Sequence, residues 1–330
     1  MTKKDNKMKT NAVYFLVVIL LTFAINAFST EWSPIKQPDL KGKLGRYYEK
    51  FWDSIKVADF DGTIKIAQAL KNLKPDNDYV VIIDNITELL TKYKSNTEGK
   101  ILSSFLMLEK KRIYWQDFNW WPEDKIYVKA TKQINAIVKE FEELLKTASN
   151  SDLEAEILYR LGLCYSDNGP LGFKEYNKAV EVLKVIERKY SQNNLADDAA
   201  FEIILIKIKA SQENNKPKIS IEAITLMLKD FIAKYPEGNR KIEAQKLIGN
   251  YYEFQGNYQL AAEEYSKLVE QLGKTKLTLE LLDNLSFIYR SKAIDKVKEK
   301  NILEQILRDF PNSYSASYAK ARLEEIKEGL

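Results

Sequence analysis

A ten-residue phrase occurs three times in the second half of the chain, at Tyr190–Ala199, Tyr235–Ala244 and Phe310–Ala319. Each time an aromatic residue closes a charged, apolar-striped run. A breaker or small polar residue follows, and an alanine stands nine places after the aromatic. The aromatics are 45 and 75 residues apart, the second interval being about two turns of a 37-residue period. A period of this size marks units that stack on one another rather than a chain wrapped around a single closed core.

Composition agrees with a folded, helical chain. Of 330 residues, 45% are apolar and 30% charged, with only 12 glycines and 8 prolines, which excludes a disordered chain and disfavours a β-rich one. The prolines punctuate: Pro75, Pro236 and Pro311 follow apolar-periodic runs, Pro122 and Pro217 stand where runs begin, and Pro170 lies in a gap. Fourteen helical runs can be drawn between residues 44 and 328, with apolar residues at three and four spacing, as in Ile221, Ile224, Leu228 and Ile232. The gaps are mostly short, so neighbouring helices run antiparallel. The expected fold class is all-α.

The chain contains no histidine, which removes the commonest general base and metal ligand. Its single cysteine, Cys164, can form neither an internal disulfide nor a zinc cluster, and a Cys–His catalytic pair is excluded. No carboxylate pair singles itself out, so we expect no catalytic residue, no metal and no cofactor. Asp152, Glu154 and Glu156, like Asp197 and Asp198, stand at helix starts, where they suit the dipole. Cys164 reads as a small buried hydrophobe.

The N-terminus carries Lys3, Lys4, Lys7 and Lys9, then 17 uncharged, mostly apolar residues from Ala12 to Phe28. This is the pattern of a secretory signal, with cleavage after Ala27 or Ser29. Retention of residues 12–28 as a membrane anchor is the alternative, because the run is at the lower limit for a spanning helix. Both readings place the chain from about Glu31 outside the cytoplasm, in a bacterial periplasm or envelope, and the second anchors it to the inner membrane. Loss of residues 1–27 removes four lysines and one aspartate and lowers the formal charge from +4 to about +1. A nearly neutral mature chain gives no nucleic-acid stripe. The expected organisation is a signal or anchor over 1–30, a Pro/Gly linker over 31–43, irregular helical repeats over 44–149 and regular repeats over 150–330.

Residues 242–273 resemble a tetratricopeptide repeat. Gly249 stands at the small eighth position, Tyr252 at the eleventh, Gly256-Asn257-Tyr258 at the turn, Ala261 at the small twentieth and Tyr265 at the aromatic twenty-fourth. Leu268 and Gly273 depart from the usual alanine and proline. A second match uses Gly162, Tyr165, Ala179 and Leu183, with extra residues around 168–172 between its helices. Weaker matches include Ala223, Met227 and Tyr235-Pro236, then Tyr289, Leu303 and Phe310-Pro311, and, more weakly, Tyr47, Leu70 and Pro75. The resemblance implies a right-handed superhelix of antiparallel hairpins. It would be a non-enzymatic scaffold binding protein or peptide partners in a concave groove. The aromatic-to-alanine phrase is similar to that of the periplasmic outer-membrane-assembly lipoproteins and Tol–Pal coordinators, which implies envelope partners. No lipid-bearing cysteine follows the apolar run here, and no N-terminal coiled coil is evident. The physical logic is independent of the name: small residues stand where backbones must approach, and tyrosines fill the neighbouring holes.

Two segments are candidate partner sites. Residues 113–122 hold Tyr114, Trp115, Phe118, Trp120 and Trp121 at a break in the helical pattern. They could bind a partner, or sugars by stacking in a glycan-binding or helical carbohydrate-active protein, or simply plug a junction between helices. Lys246 and Asn250 share one helix face, with Asn284 one repeat later. Some cytosolic repeat proteins grip a C-terminal carboxylate with a similar set, although the basic pair expected a further repeat on is missing here.

Overall fold

The computed structural model describes residues 42–73, 77–95, 97–116, 124–166, 174–212 and 219–328. Among them are fourteen α-helices and no strand. They are α1 (Gly42–Lys56), α2 (Phe60–Asn72), α3 (Asn77–Tyr93), α4 (Gly99–Gln116), α5 (Asp124–Thr147), α6 (Glu154–Ser166) and α7 (Tyr176–Lys189). The series continues with α8 (Leu195–Gln212), α9 (Ile221–Lys234), α10 (Lys241–Phe254), α11 (Tyr258–Leu272), α12 (Lys276–Ser291), α13 (Lys296–Asp309) and α14 (Tyr314–Lys327). The apolar run 12–28 and linker residues 31–41 lie outside the described residues, and Gly42 and Lys43 already belong to α1. No helix among the described residues is long and apolar enough to cross a membrane.

The helices form two compact units, α1–α8 and α9–α14. Within each, every helix packs on the next in sequence, the signature of stacked hairpins. In the first unit one continuous core runs from Phe51 and Trp52 in α1 to Ile203 and Ile206 in α8. In the second, one cluster joins Tyr265 to Leu281, Leu285 and Ile288, and another joins Leu282 to Leu303, Ile306 and Leu323. Each fully buried leucine or isoleucine contributes roughly 1.5–3 kcal/mol, so stability is spread along the stack.

The recurring phrase is a recurring turn. Tyr190, Tyr235 and Phe310 each donate the backbone N–H to the carbonyl four residues back, on Ile186, Phe231 and Ile306, at 2.9 Å. Each then accepts at its own carbonyl from the N–H three residues on: Asn193 at 2.8 Å, Gly238 at 3.1 Å and Ser313 at 3.0 Å. The three aromatics share one backbone conformation, with φ of −123°, −125° and −133°. That conformation stops the helix, and Pro236 and Pro311 reinforce it by disfavouring the helical region at the residue before them. The alanines nine residues on (Ala199, Ala244, Ala319) are completely buried. They sit where the next helix meets the one just ended, and a larger side chain would push the two apart.

The same turn occurs earlier, where the sequence phrase is blurred. Ala148 donates to Leu144 and accepts from Ser151 at 3.0 Å, and Ile157, nine residues on, is completely buried. Tyr93 accepts from Thr97 at 3.1 Å, the turn being one residue longer. The handover geometry therefore extends further back through the first unit with different side chains.

Helix starts are capped by short polar side chains. Ser220, Thr275, Asp295 and Ser313 each accept the N–H three residues on, at 3.2, 3.1, 3.0 and 3.1 Å, each such cap being worth about 1 kcal/mol. One connection is strained. Ile294, between α12 and α13, has φ of +50° and is exposed. A β-branched residue in the left-handed region costs roughly 1–2 kcal/mol, and an exposed side chain recovers little of it through packing. Ile294→Gly should therefore stabilise the second unit by about 0.5–1 kcal/mol, after allowing for the added freedom of the unfolded chain. The check is a rise in its urea midpoint with unchanged slope.

Candidate functional site

The second unit has two helical layers, with α10, α12 and α14 in one and α11 and α13 in the other. Gly249 of α10 allows the layers to meet. A Cβ at this position would lie 2.8 Å from Cδ1 of Tyr265 and closer still to Cε1. Tyr265 of α11 is completely buried, and its hydroxyl donates to Asn250 Oδ1 at 2.7 Å and Glu253 Oε2 at 2.9 Å. Burial, reinforced by the Glu253 carboxylate, raises the Tyr265 phenol well above its ordinary value, so it stays a donor. Ala261 of α11 is completely buried, and Tyr252 of α10 is half-buried with its hydroxyl 2.8 Å from Lys229 Nζ of α9.

In the first unit, a Cβ on Gly162 of α6 would come within 2.7 Å of Leu183 of α7. Ala179 is completely buried, and the buried Tyr165 donates its hydroxyl to Glu142 of α5. These small and aromatic side chains set helix spacing.

Along the α10–α12–α14 layer, three polar pairs bridge neighbouring helices. Lys246 Nζ lies 3.7 Å from Glu280, Ser315 donates its hydroxyl to Asp283 at 2.7 Å, and Arg290 donates to the Tyr318 hydroxyl. Glu280, Asp283, Phe287 and Arg290 recur at three and four spacing and so share one face of α12. Phe287 is 51% exposed and Tyr318 42% exposed, a larger apolar outlay than solvation of a helix face requires. Burial raises the Asp283 carboxyl; the Ser315 hydroxyl offsets this only in part, and Glu280 adds to the rise. Among the described residues no lysine or arginine pairs with Asp283. The face thus presents a half-buried carboxylate without a counter-cation, with aromatic surface alongside.

The residues first considered as a carboxylate grip sit differently from one another. Lys246 is largely buried and faces Glu280; burial lowers its ammonium below the usual value and Glu280 offsets this only in part. Asn250 is engaged by Tyr265, whereas Asn284 is exposed. Of the aromatic segment, Trp115 falls in the last turn of α4, while Phe118, Trp120 and Trp121 lie outside the described residues. Cys164 is buried, and no group of three or more acidic or cysteine side chains among the described residues could hold a metal.

Sequence reading missed an ionic chain in the first unit. Glu109 of α4 is buried and accepts both Nε (2.7 Å) and Nη2 (2.6 Å) of Arg112. Arg160 of α6 lies 3.1 Å from Glu109 and 3.6 Å from Glu156. Glu156 in turn accepts from Tyr93 at 3.1 Å and Lys92 at 3.2 Å, both of α3. Glu154, beside it in the first turn of α6, accepts from Lys189 at 2.8 Å. These carboxylates do more than suit a helix start: they tie α3, α4, α6 and α7 together. Only its two local pairs, Glu109–Arg112 at a spacing of three and Glu156–Arg160 at a spacing of four, carry a signal in the sequence.

The hairpins, the turn repeated between them and the small-against-large contacts define a tetratricopeptide-like helical repeat protein. No protein-family model and no curated protein matches the chain. Solved structures of helical repeat proteins do. The kinesin-light-chain TPR-like repeats of Podosopora anserina align at 18% identity over 62% of this chain and 93% of theirs, with a TM-score of 0.39. The Rap conjugation gene regulator of plasmid pLS20, solved with the Phr* peptide, aligns at 14% identity over 86% of this chain and 84% of its own, with a TM-score of 0.39. The apo form of RapI aligns at 11% identity over 87% and 86%, with a TM-score of 0.38. At these values the assignment to the class rests on this chain's own geometry.

Proposed function

We propose that this chain is an exported, non-enzymatic scaffold that docks an extended peptide or protein segment on the α10–α12–α14 face. The observation that carries this reading is the half-buried Asp283 carboxylate without a cationic partner, beside exposed Phe287 and Tyr318. A segment with a lysine or arginine flanked by an apolar side chain complements it: the cation answers Asp283 and Glu280, and the apolar group covers the aromatic rings. Packed helices hold the face in place, so the ordering cost on binding falls mainly on the partner. Export and an envelope partner are supported by the basic tetrad and apolar run 1–28. The same run, at the lower limit for spanning, supports a membrane-anchored assembly factor or receptor as the second reading.

The test is an array of short peptides scored by fluorescence anisotropy, with crosslinking and co-purification from the native envelope alongside. Cationic–aromatic peptides should bind, weaken with added salt, and lose about tenfold in affinity on Asp283→Asn, the scale of one charge-assisted hydrogen bond. Equal binding of peptides with acidic C-termini, unaffected by Asp283→Asn, overturns the assigned polarity. N-terminal sequencing of the mature protein separates the two export readings, because an intact Met1 excludes cleavage.

A further inference from the structure

Three consecutive charged residues on α4 have three different fates. Glu109 enters the ionic chain with Arg112, and Lys111 pairs with Glu140 at 2.6 Å. Among the described residues Lys110 has neither kind of partner. Its Nζ lies 4.4 Å from the centre of the Trp52 ring and 6.0 Å from that of Tyr48, both on α1. Helix α4 is seated on α1 here, with the Ser103 hydroxyl donating to the Ile55 carbonyl at 2.7 Å. The charged groups of α1 that act on Lys110 are Lys56 and Asp53, and they are paired with each other at 2.9 Å. The ammonium of Lys110 is therefore half-buried on aromatic surface, with a second ammonium nearby and the Asp53 carboxylate already engaged.

We propose that Lys110 is a nucleophilic amine that forms an imine with small aldehydes. Two arrangements generate reactive lysines, desolvation against apolar surface and a neighbouring cation, and both meet at this residue. The neutral amine attacks the carbonyl carbon, a C–N bond forms, and the carbinolamine loses water to leave the imine. No oxidant or reductant is required.

The electrostatics support the geometry. Burial, helped by the Lys56 charge and opposed by Asp53, pushes the Lys110 ammonium down to about 8. Contact with the Trp52 ring favours the ammonium, but burial and Lys56 outweigh it. At pH 7.5 about a quarter of such amines are neutral, against roughly one in a thousand for an ordinary lysine near 10.4. Lower basicity returns about one factor of ten in intrinsic nucleophilicity. The net expectation is labelling about tenfold faster than at an exposed lysine.

The experiment incubates the full chain with pyridoxal 5′-phosphate, traps imines with borohydride and maps the labelled peptides over pH 6.5–9.5. Lys110 should be labelled first, about tenfold faster than exposed Lys298 or Lys300, and its rate should level off above about pH 8 while theirs continue to climb. Lys56→Ala should slow it severalfold, and Asp53→Asn should speed it. Lys110→Arg, with unchanged circular dichroism, should abolish the fast component alone. Labelling of Lys110 at the rate of Lys300, or indifference to Lys56→Ala, overturns the proposal.

Discussion

Tyr265→Ala will unfold the α10–α11 hairpin at far lower denaturant than the wild type requires, with a loss of about 3–5 kcal/mol. The substitution empties the hole that Gly249 faces and removes the hydroxyl shared by Asn250 and Glu253. The expected readout is hydrogen exchange: amides of 241–272 should lose protection before those of α6 and α7, since stability in a stack is set by nearest neighbours. Gly249→Ala sharpens the test. Alanine in a helix interior is favoured over glycine by about 1 kcal/mol, but here its Cβ meets a ring held by two hydrogen bonds, and overpacking costs about 1–3 kcal/mol. The single change should therefore destabilise, whereas the same change on the Tyr265→Ala background should stabilise. A double-mutant cycle without this reversal of sign refutes the small-against-large account of the repeat.

The second large effect is expected at Glu109. Glu109→Gln leaves Arg112 and Arg160 without their shared carboxylate in a largely buried setting, and loss of one partner from such a network costs about 3–5 kcal/mol. The pH dependence has a defined sign. Burial alone would raise the Glu109 carboxyl, but Arg112 and Arg160 together outweigh it and hold it below the usual carboxylate range. A carboxylate depressed in the folded state contributes stability that is fully present above its unfolded value, about 4.3. That contribution is lost as pH falls through the lower folded value. The urea midpoint of the first unit should therefore drop more steeply below about pH 4.3 in the wild type than in Glu109→Gln. Parallel curves would show that Glu109 is not the coupled group.

The helices were legible because their signals are local. Apolar spacing and the prolines that start and stop runs act within a few residues, and fourteen runs could be drawn from them. The small positions were legible for the same reason: Gly249 and Tyr265 stand at repeat spacing within one hairpin. Before residue 150 the handover turn was hidden, because Ala148 makes the same hydrogen bonds that an aromatic makes later. Turn geometry belongs to the backbone, and several side chains satisfy it.

The candidate site was far less legible. Lys246 and Asn250 read as a free polar pair on one face of α10, yet one faces a carboxylate on α12 and the other holds a tyrosine from α11. Asp283 gave no signal, since its distinction is the cation it lacks. Lys110 stands among four consecutive charges, Glu109 to Arg112; only the seating of α4 on α1 separates it from its neighbours.

Sequence by itself determined that this is a helical repeat chain, where its helices start and stop, and which small residues let them approach. Those features depend on dihedral preference, capping and periodicity, all encoded over a few residues. Tertiary structure alone decided which polar groups are spent inside the fold and which remain for a partner or a reagent. That choice depends on the rotation of each helix about its axis and on which side chain its neighbour brings opposite. Neither can be read from spacing along one chain segment.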